Sequence, residues 1–165
     1  MIRKAEIKDI PSIMNIVHDA QSYFRKNDIP QWMNGYPNEK QFEEDIQNDG
    51  SYVLEENDQI VGTFFITFKD DPYYEPIDGA WLNNNAYATI HRIAISSNYK
   101  GNGLAKECFD YAESLAQEKG MHDLRADTHE LNKSMQHALL KNGFIKCGNI
   151  FIKDHQPRIG FQKSF

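Results

Sequence analysis

The chain has 165 residues, 40% of them hydrophobic, enough to bury one core without disulfide or metal staples and few enough to read as a single domain over residues 1–165. Its 18 Lys and Arg stand against 24 Asp and Glu, a formal charge of −6, and that field repels phosphate backbones, which excludes nucleic acid as a partner. No stretch approaches the roughly 18 apolar residues of a membrane span, and the opening MIRKAEIKDI lacks the apolar run of a secretory signal, so a cytoplasmic location with no membrane partner is expected.

IRKAEI (Ile2 to Ile7) alternates apolar and polar residues as a half-buried strand does. Asp9 followed by Pro11 is a helix-start signal. Ile10, Ile13, Met14, Val17, Ala20 and Phe24 then recur at three- and four-residue intervals, which predicts a helix ending near Asn27. PQWMNGYP is turn-rich. NEKQFEEDIQNDG (Asn38 to Gly50) reads as a short polar helix pinned by Phe42 and Ile46 and closed by its glycine. Two strand-like runs in SYVLEENDQIVGTFFITF, parted by Asn57, Asp58 and Gln59, predict a hairpin. Asp70 to Asn85 is a loop with two prolines, and AYATIHRIAI (Ala86 to Ile95) returns to β-propensity.

LAKECFDYAESLAQEKG presents Leu104, Cys108, Tyr111, Ala112 and Leu115 on one face and stops at Gly120. HDLRADT is a strand. NKSMQHALLKNG runs as a helix from the N-cap Asn132 to the terminal Gly143, and two short strands around DHQPR finish the chain. The order β-α-α-β-β-β-α-β-α-β-β describes an α/β (α+β) protein, a mixed sheet with helices packed on its faces. Cys108 and Cys147 lie far apart without C-x-x-C spacing, and HELN at His129 lacks the second histidine of H-E-x-x-H, so no metal is expected.

ISSNYKGNGLAKECFDYA sets Gly101 and Gly103 between a strand and a helix. Such a loop can turn its amides toward one point at the positive end of the helix dipole, a cradle for an anion. A Cβ would keep an oxyanion from the backbone or forbid the positive φ that aims the amides inward. Lys100 adds a mobile charge. A Walker loop is excluded, because Lys106 is followed by Glu107 with no such spacing before it. A dinucleotide fingerprint needs a third glycine where Lys106 stands.

The run N-Y-K-G-N-G-L-A after the strand HRIAI resembles the acetyl-CoA pyrophosphate loop of GNAT-type N-acetyltransferases, whose pattern is Q/R-x-x-G-x-G/A. D-x-x-x-x-N-x-x-M-x-x-x-L-x-K-x-G-F, from Asp127 to Phe144, is similar to that family's fifth-strand and fourth-helix signature, and the element order fits over nearly the whole chain. The resemblance implies the GNAT acyl-CoA N-acyltransferase fold: a mixed, mostly antiparallel sheet of about six or seven strands flanked by four helices. It implies acetyl-CoA as cosubstrate, with backbone groups of Ile93, Ala94 and Ile95 pairing with the pantetheine arm as an added strand would. Amides of Lys100, Gly101, Asn102, Gly103, Leu104 and Ala105 would hold the pyrophosphate. Asn98 stands in the Q/R position with a shorter side chain. Asn132 would reach the pantetheine, serve only as a helix cap, or do both.

The implied reaction is direct attack, in a ternary complex, by a primary amine of a small molecule or a protein N-terminus. An alkylammonium of pKa about 10.4 is neutral roughly once in 10³ at pH 7, a penalty near 4–5 kcal/mol, so a base or a desolvating site must help. Asp127 occupies the position where some relatives carry a basic glutamate; His91 and His129 are alternatives with pKa near neutrality. Against all three stands a structural ion pair of Asp127 with Arg92 or Arg125. The tyrosine that often protonates the departing thiolate aligns with Leu139, a loss of about 10²–10⁴ in rate unless Tyr111, His137 or water replaces it. That gap favours an alternative, a non-catalytic acyl-CoA-binding or sensor domain. Trp32, Tyr36, Tyr73, Tyr74 and Trp81 either cover the core or line a pocket for an amine with an apolar or aromatic part. The oligomeric state is left open between monomer and homodimer.

Overall fold

A computed structural model describes all 165 residues. They form two compact units, Met1–Ile66 with His91–Cys108, and Thr67–Ile90 with Phe109–Phe165. The first contains β1 (Ile2–Lys4), α1 (Ile10–Lys26), α2 (Glu39–Gln47), β2 (Ser51–Glu56) and nearly all of β3 (Gln59–Thr67). β5 (Ala88–Ile95) and α3 (Leu104–Glu118) belong partly to each unit. β4 (Asp78–Gly79), β6 (Asp123–Thr128), α4 (Lys133–Lys141), β7 (Ile145–Ile152) and β8 (Gln156–Ser164) lie in the second. The hydrogen-bonded strand order is β1-β2-β3-β5-β6-β8-β7-β4. Every element expected from the sequence is present; the addition is β4, two residues inside the Asp70–Asn85 loop paired with Asn149 and Gly148 of β7. No helix is long and apolar enough to cross a membrane.

In the first unit the apolar stripe of α1 does what its spacing predicts. Ile10, Ile13, Met14 and Val17 pack with Ala5, Phe42 and Val53, and Trp32, Ile46 and Ile60 close the cluster. Asp9 precedes α1, but its carboxylate does not cap it. It accepts from the Glu6 amide at 2.8 Å and from both terminal nitrogens of Arg3 at 2.8 and 3.0 Å. Arg3 therefore ties β1 to the head of the helix and holds the Asp9 carboxyl below its ordinary pKa. The β2–β3 hairpin turns through Asn57 (φ 50°) and Asp58 (φ 61°), the paired left-handed residues of a tight hairpin turn. Gly50 does not take the left-handed closing position of α2. Asp49 does, at φ 59°, while a Cβ on Gly50 would meet the Ile66 carbonyl and the Phe65 ring. The glycine is there for close approach of two backbones.

In the second unit β5 and β6 run parallel through Ala88↔Leu124 and Thr89↔Arg125, and β6, β8, β7 and β4 pair antiparallel. Tyr74, Tyr87 and Ile150 form a buried cluster with Ile77, Trp81 and Ile152 packed on it. Asn132 caps α4, its Oδ1 accepting from the Met135 amide at 3.1 Å. Gly143 at φ 89° closes that helix, and Phe144 beyond it packs on Phe109 of α3 at 5.2 Å.

Candidate active site

The loop between β5 and α3 begins with a single 3-10 turn, Ser97–Tyr99, in which Asn98 is exposed. Gly101 and Gly103 follow at φ 84° and 77°, and a Cβ on either would touch nothing within 4 Å. Packing therefore does not select glycine here. The left-handed backbone does, at about 1–2 kcal/mol for a residue with a Cβ. The Gly103 carbonyl accepts from the Glu107 amide at 3.2 Å, the first turn of α3. The amides of that first turn have no intrahelical acceptor and carry the positive end of the helix dipole. Lys100 sits beside them with its ammonium 4.8 Å from the Tyr23 ring centroid. Asn102 is exposed, Leu104 is buried and Ala105 is half-buried at the start of α3. Ile93, Ala94 and Ile95 end β5, the strand that leads into this loop.

In the second unit Asp127 lies on β6 opposite Gly160 of β8. Its side chain keeps 14% exposure, and the nearby cation is Arg158, Nε to Oδ1 4.0 Å. The strong contact is one the sequence did not show: the Tyr74 hydroxyl, on a fully buried residue, donates to Asp127 Oδ2 at 2.6 Å. Burial, then the charge of Asp127, raise the Tyr74 phenol well above its usual pKa, so it stays a donor. Tyr74 is held by its surroundings. Trp81 Nε1 donates to the Tyr74 carbonyl at 2.7 Å, and the Trp81 ring lies against Gly160 so closely that a Cβ there would be 2.6 Å from the indole. Arg125 stacks over Trp81 and Tyr87 at 4.1 and 3.9 Å.

The alternative weighed against a catalytic role, an ion pair of Asp127 with Arg92 or Arg125, is corrected: the arginine beside Asp127 is Arg158. Arg125 has gone to the aromatic rings and to Gln162 Oε1 (3.3 Å), and Arg92 to Asp45 (2.6 and 2.7 Å). His129, in the turn after β6, is buried, and its Nδ1 accepts from the Leu131 amide at 3.1 Å. Burial and the charge of Arg158 lower its pKa, so it is neutral, with Nδ1 committed to the turn. The structure thus brings Asp127, Tyr74 and Arg158 together, with His129 inside the field of Arg158. His91 lies in the first unit, its ring stacked on Phe65 at 6.4 Å. Asn132 holds the α4 cap, and Leu139 is buried. Of the loop aromatics, Trp32, Tyr74 and Trp81 cover or fill cores, while Tyr36 and Tyr73 stay exposed.

The sequence matches the acetyltransferase (GNAT) family over residues 13–144. No curated protein matches it. A crystal structure of a GNAT-family acetyltransferase from Streptococcus agalactiae 2603 is similar at 34% identity and TM-score 0.90, covering 100% of this chain and 95% of that one. A ribosomal-protein-alanine N-acetyltransferase from Brucella melitensis shares the fold at 21% identity and TM-score 0.71, with coverage of 100% and 99%. So does the PaiA N-acetyltransferase of Thermoplasma acidophilum in complex with coenzyme A, at 15% identity, TM-score 0.75 and coverage of 100% and 98%. With a glycine loop at the head of α3, an acidic residue on β6 and a family match across most of its length, this chain belongs to the GNAT acetyltransferase family.

Proposed function

We propose that residues 1–165 act as one domain that uses acetyl-CoA to acetylate a primary amine of a small molecule or a protein N-terminus, by direct attack within a ternary complex. The observation that carries the cofactor assignment is the pair Gly101 and Gly103, both left-handed, with open space where side chains would stand. That space lets an oxyanion reach the amides of residues 100–105, and the α3 dipole favours its charge. Backbone groups of Ile93, Ala94 and Ile95 would receive the pantetheine amides, and Asn132 would reach the pantetheine while keeping the α4 cap. Acetyl-CoA supplies the acetyl group.

Asp127 is the base in this reading, directly or through water. Its carboxylate is fixed on one side by the Tyr74 hydroxyl at 2.6 Å and remains partly open to solvent. His129 drops out of that role, because its Nδ1 is already an acceptor in the turn. Leu139 offers no acid, so the thiolate leaves unaided or takes a proton from water, tolerable for a thiol of pKa about 8.5. Free Cys108 and Cys147 suit a cytoplasmic setting. The test is mass-spectrometric detection of acetylated products from a panel of amines and peptides, with CoA release measured in parallel. Product with stoichiometric CoA supports the proposal; saturable acetyl-CoA binding without product across the panel refutes it and favours a sensor.

A further inference from the structure

Arg92 is the residue immediately before the Ile93–Ile95 segment, and it stands at φ 50° in the middle of a strand. It is not glycine, and it lacks the short polar side chain with which Asn or Asp steadies that conformation. Something else must over-determine it. Its Nε and Nη2 donate to the two oxygens of Asp45 at 2.7 and 2.6 Å. The Asp45 carboxylate is 2% exposed and takes a further bond from Gln41 Nε2 at 3.0 Å. The guanidinium lies 4.7 Å from the Phe65 ring centroid on β3, and Nη1 donates to the Tyr36 hydroxyl at 3.0 Å. Tyr36 is in turn held by Gln21 of α1, whose Nε2 donates to its carbonyl at 3.0 Å. Side chains from α2, β3 and the segment between the two helices thus converge on one arginine, and α1 holds the backbone of that segment at Tyr36.

We propose that Asp45 and Tyr36 are positioning residues for the cofactor strand. By holding Arg92 in its left-handed conformation they set which way the N–H and C=O groups of Ile93, Ala94 and Ile95 point. A left-handed residue interrupts a strand and turns the backbone beyond it relative to the backbone before it, so the orientation of the three residues assigned to the pantetheine arm is decided at Arg92. Neither Asp45 nor Tyr36 needs to touch cofactor or acceptor. This inference rests on the acetyl-CoA assignment above.

The experiment is calorimetric titration of coenzyme A into the wild type, Asp45→Asn, Asp45→Asn with Arg92→Gly, and Tyr36→Phe, with amide spectra of each free protein. Asp45→Asn is expected to weaken CoA binding about tenfold, because the fork loses a charged partner. Adding Arg92→Gly is expected to restore affinity to within about threefold of wild type, since glycine adopts the left-handed conformation without a partner. A pair that served stability alone would give no such rescue, and a double variant as weak as Asp45→Asn overturns the proposal, as does an Asp45→Asn that binds like wild type. Should Asp45→Asn fail to fold, Tyr36→Phe decides: displaced Ile93–Ile95 amide signals in a protein of near-normal melting temperature support the proposal, and undisplaced signals overturn it. A wild type that does not bind CoA refutes the acetyl-CoA reading, and the amide spectra of the free proteins still decide the positioning claim.

Discussion

Replacing Tyr74 by Phe removes one oxygen from the second unit and tests how Asp127 is held. The lost bond is a 2.6 Å donation from a fully buried phenol to a carboxylate, a class worth about 1.5–3 kcal/mol. Asp127 retains 14% exposure and Arg158 at 4.0 Å, so solvent compensates part of the loss, and about 2 kcal/mol is expected. For a chain of this size that corresponds to a fall in melting temperature of about 4–8 °C. The pH dependence has a definite sign. The phenol's folded-state pKa lies above its ordinary value, so its contribution is complete below pH of about 10 and is lost as the pH rises above it. Wild type is therefore expected to lose stability steeply on the alkaline side, and Tyr74→Phe less steeply. Thermal unfolding followed by circular dichroism from neutral to alkaline pH reads both effects. A carboxylate freed to turn is expected to cut acetyl transfer about 10–100-fold. A variant within about 1 °C of wild type, with an unchanged alkaline limb, would refute the reasoning.

Acid pH probes His129, whose folded-state pKa is lowered by burial and by Arg158: stability is expected to fall as pH drops below about 6.5, by up to about 1.4 kcal/mol per pH unit, and His129→Gln to flatten that limb in urea titrations. Gly160→Ala places a Cβ 2.6 Å from the Trp81 ring, so about 1–3 kcal/mol should be lost by urea unfolding. The same change should slow acetyl transfer, because Trp81 holds the Tyr74 carbonyl. A Gly160→Ala protein with unaltered midpoint and rate would contradict the packing.

Local signals located the elements well. The stripe of α1, the Asn132 cap, Gly143 and the strand-turn-helix around Gly101 each act within a few residues, so spacing alone exposes them. The sequence pattern also put Asp127 on a strand, where it is. What it missed depends on contacts across long separations: the Tyr74 hydroxyl reaches Asp127 across 53 positions, and Arg92 reaches Asp45 across 47. Local turn chemistry around Tyr74 is readable, since Asp71 Oδ1 accepts from the Tyr73 amide at 2.9 Å, but no periodicity names the carboxylate that a buried phenol will find. Gly50 shows the opposite error. A glycine after a polar helix reads as a left-handed stop, yet Asp49 takes that conformation and Gly50 answers to the Ile66 carbonyl two strands away in sequence. Sequence records which backbone angles are cheap and not which neighbours approach.

The central claim is that the amides around Gly101 and Gly103 grip the pyrophosphate of coenzyme A. Titrating CoA into isotopically labelled protein while following the backbone amides of residues 100–105 tests it most directly. These amides are expected to shift and saturate with the binding isotherm in wild type, and to stop responding in Gly101→Val, where φ 84° forbids the β-branched side chain. Saturation by CoA with these amides unmoved, or undiminished affinity in Gly101→Val, would contradict the account.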